Sequence, residues 1–181
     1  MFQLPFIESQ ISDLSVSEIC RAREELIGDG EISSVSTHIR SQYRLASIRI
    51  AQKLPPISKS TMQQNGHIYR GTLMRRVVAN HIEGNLFKLR DFLNTLDEEW
   101  VDFTRPGKPH DAVDYALKGY RGFCDVSDRE DAVVVEIPFT PSLREEFESY
   151  CSYEPERPGI ISIPKWMLVE KSGRLYRPVL D

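Results

Sequence analysis

Apolar positions in the first hundred residues recur mainly at spacings of three and four, the pattern of helices buried along one face, whereas the later ones fall in short runs. Val16, Ile19, Cys20, Leu26 and Ile27 share a face behind the Ser15/Glu18 capping box, and Gly28 and Gly30 follow, so a helix is predicted over 16–27. Val35, Ile39 and Tyr43 predict a short second helix. Leu45, Ala46, Ile48, Ile50, Ala51 and Leu54 predict a third, although they spread around most of its circumference and Ser47-Ile48-Arg49-Ile50 also alternates like a strand. Pro55-Pro56 ends it, because neither ring nitrogen donates and the preceding residues are pushed out of the α region. A polar loop over 58–66 and a short strand over 67–73 come next. Val78, Ile82, Leu86, Leu89, Phe92 or Leu93, and Leu96 then predict one long helix over 73–97, weakened in its middle by Gly84.

The second half reads differently. Two prolines and a glycine between Thr104 and Pro109 mark a boundary, and Asp111 to Lys118 predicts a short helix stopped by Gly119. Ala132 to Ile137 is the clearest strand, and Pro141, Ser142 and Glu145 predict a capped helix to about Tyr150. Three short strands, 160–163, 166–170 and 175–179, are expected in the tail, with Lys171-Ser172-Gly173-Arg174 as a hairpin turn. The expected fold class is α+β: a helical N-terminal half of three short helices and one long helix, then a smaller mixed α/β part with a few antiparallel strands. The corresponding segments are 1–57, 58–103 and 104–181, and they could form one continuous domain.

Composition narrows the class without naming a reaction. With 181 residues, 40% hydrophobic and 28% charged, the chain is neither poor enough in apolar residues for disorder nor rich enough for a membrane protein. Cys20, Cys124 and Cys151 are widely spaced and odd in number, which argues against a disulfide framework and for a reducing compartment. The start lacks a basic n-region, so no signal peptide is read there, and no run reaches the length of a spanning helix. A cytoplasmic location without membrane contact is the expectation.

Charge changes the picture most. Ile32 to Ile82 holds no aspartate or glutamate, so about +8 in this stretch faces about −12 elsewhere in a chain of net charge −4, an asymmetry that points to a polyanionic partner. The predicted helices of the first 54 residues resemble a helix-turn-helix module. That resemblance would make Arg44, Ser47, Arg49, Gln52 and Lys53 base readers in the major groove, with Arg40 and Lys59 near phosphates; the acid-free stretch as a whole, including Arg70, Arg75 and Arg76, would neutralise phosphates. Tyrosine precedes arginine at 43–44, 69–70, 120–121 and 176–177, pairs able to stack a base and neutralise its phosphate, or simply to put tyrosine in the core and arginine outside.

Arg76 and His81 have the R-x4-H spacing of the helical HEPN domains, whose resemblance implies an arginine stabilising an RNA phosphate and a histidine acting as acid or base or orienting the 2′-hydroxyl. No zinc, calcium, P-loop, Rossmann or nucleophile-elbow spacing is present, and no cofactor or metal is expected. The leading expectation is therefore a non-enzymatic, regulatory nucleic-acid-binding protein. A protein-interaction or inhibitory factor docking on an acidic partner, or a homodimer, comes second, and a HEPN-like ribonuclease third.

Overall fold

The computed structural model describes residues 37–62, 66–77, 79, 81–94, 96, 98–105, 111–118 and 129–181. Eight strands form one mostly antiparallel sheet: β1 Pro56–Ile57, β2 His67–Leu73, β3 Ile82–Glu83, β4 Leu86–Lys88, β5 Trp100–Thr104, β6 Ala132–Pro138, β7 Ile160–Pro164 and β8 Ser172–Pro178. Their order is β3-β4-β8-β6-β2-β5-β7, and β1 runs parallel to β8. The described helices are α1 Thr37–Lys53, α2 Leu89–Asn94, α3 Asp111–Lys118 and α4 Pro141–Tyr150.

The centre of the sheet follows from its sequence. Val133, Val135 and Ile137 of β6 and Ile68 of β2 enter the larger core, where α1, α2 and α4 add Tyr43, Phe92 and Phe147. Each such side chain contributes about 1.5–3 kcal/mol when fully buried. Tyr69, Leu73, Ala132 and Val134 enter a smaller core with Ala112, Val113 and Ala116 of α3. A strand buried on both faces shows a continuous apolar run, as Ala132 to Val135 of β6 do. The helix α4 starts with Pro141 and is capped by Thr140, whose hydroxyl accepts from Leu143 N at 3.2 Å, in place of the expected Ser142/Glu145 box.

The helical first half is not observed among the described residues. Thr37–Lys53 is one uninterrupted helix, so the turn expected between the second and third helices is absent. Tyr43, Ala46, Ser47, Ala51 and Leu54 supply its buried stripe, with the serine in an interior position and Leu45 left exposed. The expected helix 16–27 lies outside the described residues. The long helix 73–97 is replaced by a 3-10 turn at Met74–Arg76, the β3–β4 hairpin and the six-residue α2. Gly84 has φ +64°, and Ile82 pairs with Phe87 and Glu83 with Leu86, so Gly84-Asn85 is a two-residue hairpin turn. In the tail, residues 165–167 form a 3-10 turn, and Ser172, Gly173 and Arg174 begin β8 opposite β4. A Cβ on Gly173 would lie 3.0 Å from Leu89 Cδ2 and 3.2 Å from Phe87 Cε1, so the glycine there serves close packing of β8 against β4 and α2.

Candidate functional site

β2 and β5 share a single register pair, Tyr69 with Thr104; past it β2 continues to Leu73 without a ladder to β5. A cavity of about 410 Å³ opens there. Its floor is Tyr69 to Thr72 of β2, one wall is Asp102 to Thr104 with Glu98, Arg157 and Ile160, and the other wall is Ala112 and Tyr115 of α3 with Arg129. Arg76 sits at its end. Gly71 sets the position of α3: a Cβ there would lie 2.3 Å from Ala112 O and 2.5 Å from Ala116 N, so the helix backbone rests directly on the strand.

Four arginines and two carboxylates line this cleft, and most are engaged in different ways. Arg129 donates to Ala116 O at 2.7 Å and Tyr115 O at 3.1 Å, satisfying carbonyls of the last turn of α3. Arg157 donates to Asp102 Oδ2 at 2.5 Å and lies 3.6 Å from Glu154, and Ser162 bonds the other Asp102 oxygen. Arg70 donates from one terminal nitrogen to Asp102 O at 2.9 Å, while its buried Nε has no partner among the described residues. Burial lowers the pKa of Arg70; Asp102 and Glu98 oppose that shift, and Arg76 adds to it. A desolvated guanidinium with a spare donor gains from an anion, and fork-shaped donors suit phosphate and carboxylate. Arg76 is exposed. Behind the cleft floor, Tyr69 donates to the buried Glu136 at 2.8 Å, fixing the tyrosine ring.

The residues expected to bind nucleic acid are dispersed. Arg49, Gln52 and Lys53 are exposed together on one face of α1. Arg40 lies in the first turn of that helix. Ser47 is fully buried and donates to Tyr43 O at 3.0 Å. Several cations of the acid-free stretch meet acids from elsewhere in the chain: Arg44 with Glu130 at 3.6 Å, Lys59 with Asp114 at 2.7 Å, and Arg75 with Asp131 at 2.8 Å. Arg75 is clamped by both Asp131 oxygens, one of which also accepts from Arg75 N at 3.0 Å.

Of the paired residues, Tyr43 and Tyr69 are wholly buried and cannot stack a base, Tyr176 is half-buried, and Tyr120-Arg121 lies outside the described residues. Arg76 is in a 3-10 turn and the exposed His81 directly precedes β3, so no helix carries both. The cleft brings Arg70 and Arg76 together with Arg129, Arg157, Tyr115, Glu98 and Asp102, which sequence reading did not single out. Only the Tyr69-Arg70-Gly71 run offered a signal, a glycine between a core tyrosine and an arginine in a predicted strand.

Among the described residues no helix is long and apolar enough to cross a membrane, and no group of three metal-ligating side chains is present. No family model matches the chain, and no curated protein and no solved structure matches it.

Proposed function

We propose that this protein binds a phosphate-bearing ligand, a nucleotide or the end of a nucleic-acid strand, in the cleft between β2, β5 and α3. The observation that carries the reading is Arg70, half-buried on the cleft floor, with an Nε that has no partner among the described residues and with Arg76 near it. Pockets for small ligands have volumes of about 300–1,000 Å³, which the 410 Å³ here meets. Tyr115 adds a partly exposed ring on the α3 wall against which a base can stack. Phosphate neutralisation, the core of the sequence expectation, is thereby assigned to a concave site in place of the whole basic stretch.

Calorimetric titration with AMP, ADP and a short single-stranded oligonucleotide tests this. Binding of any of them should weaken by about 10- to 100-fold in Arg76→Ala, the worth of a charge-assisted hydrogen bond of about 1.5–3 kcal/mol. The substitution is at an exposed position and should leave the fold intact. Binding confined to the oligonucleotide selects a strand end; no heat with any phosphorylated ligand removes the proposal.

A second reading rests on the exposed stripe Arg49, Gln52 and Lys53, which suits duplex nucleic acid. It requires binding of duplex that falls steeply with salt and is insensitive to Arg76→Ala.

A further inference from the structure

We propose that the exposed pair Tyr150 and Trp166 forms a docking surface for a lysine- or arginine-bearing segment of a partner protein. The two side chains are 73% and 56% exposed, although large aromatics are ordinarily kept mostly inside. Trp166 lies in the 3-10 turn directly after β7, and Tyr150 ends α4. Tyr150 and Trp166 meet edge to face, with ring centroids 5.6 Å apart and planes at 79°, an arrangement that leaves ring faces open to solvent.

The charge around these rings specifies the occupant. Lys165, the cation beside Trp166, is turned away, its ammonium donating to Leu96 O. Its backbone N–H donates to Glu99 O at 3.0 Å, which brings the exposed Glu99 beside the turn. Glu146 lies one helical turn before Tyr150 on the same face of α4. Aromatic faces attract cations through their quadrupole, tryptophan most strongly, and neighbouring carboxylates add to that attraction. A purely apolar partner would gain nothing from the carboxylates, and an anionic one would be repelled. The chain as a whole carries a net charge of −4, so long-range attraction also favours a basic partner. This surface is separate from the cleft, and its test does not depend on ligand binding there.

Trp166, one of the two tryptophans of the chain, belongs to this surface, so intrinsic emission reports on it. The experiment is a fluorescence titration of the full chain with a synthetic lysine- and arginine-rich peptide and with a serine- and leucine-rich peptide of equal length. The expected result is a saturable emission change with the basic peptide only. Affinity should fall about 2- to 10-fold in Tyr150→Ala, which keeps both fluorophores. It should also fall in the double variant Glu99→Gln and Glu146→Gln, whose salt dependence should flatten. Equal response to the uncharged peptide, or none to the basic peptide at millimolar concentration, overturns the proposal. Concentration-dependent self-association lost in Tyr150→Ala assigns the surface to a second copy and overturns it as well.

Discussion

Arg70 in the middle of β2 and Arg75 just past its end are the same residue type in the same acid-free stretch, yet the fold treats them differently. Arg75 meets a fully buried aspartate with both arms of its fork, and the aspartate also takes the Arg75 backbone N–H, while the Asp131 carbonyl accepts from Met74 N at 2.6 Å. Among the described residues Arg70 meets one carbonyl oxygen and keeps a buried donor unused beside a cavity. A guanidinium closed by its own fold is a fastening; one left incomplete next to open volume is ready for an outside anion. The total charge of the stretch does not distinguish them.

The sharpest way to break this comparison is Asp131→Asn. It removes the buried carboxylate charge that the Arg75 guanidinium meets and should cost about 3–5 kcal/mol in denaturant unfolding, the range for removing one partner of a buried pair. A loss below about 1 kcal/mol would make Asp131 no more than a surface partner. Gly71→Ala should cost about 1–3 kcal/mol as an overpacked contact, because the new methyl meets helix backbone and not a flexible side-chain tip. The same variant should displace Tyr115 and abolish cleft binding; unchanged calorimetric affinity would show that α3 does not form the ligand wall. The smallest effect on stability should come from Arg70→Met, about 1 kcal/mol or less, since one hydrogen bond is lost but a desolvated charge is removed. Ligand affinity should nevertheless fall by about 10-fold or more. If Arg70→Met proved as destabilising as Asp131→Asn, the two arginines would both be fastenings.

How much of this was legible in the chain depended on the range of the deciding interaction. The strand His67–Leu73 and the helix Asp111–Lys118 agree with expectation end to end, because alternation and stop signals are local. The Gly84-Asn85 turn was local too, but a heptad-like spacing of Ile82, Leu86 and Leu89 masked it; a glycine followed by asparagine should have outweighed spacings of three and four. The burial of Ser47 removed one residue from the expected α1 surface, since a hydroxyl that donates to the carbonyl one turn back can enter an apolar stripe. The cleft was legible only in the Tyr69-Arg70-Gly71 run. It arises where a ladder ends and where one helix touches a glycine, both set by tertiary contacts, and the counter-charges of Arg44, Lys59 and Arg75 come from distant chain.

The hydrogen bond from Tyr69 to Glu136 joins residues 67 positions apart, and β2 pairs with β6 along its full length. Bringing such distant strands together costs loop-closure entropy before any contact rewards it, which slows folding of non-local sheets. During synthesis β2 emerges well before β6 and has to wait for it. Arg70 therefore acquires its half-buried setting only after most of the described chain has been made. An incomplete chain would present that arginine as an ordinary solvated charge, so selective anion capture would itself signal that the central pair of strands has closed.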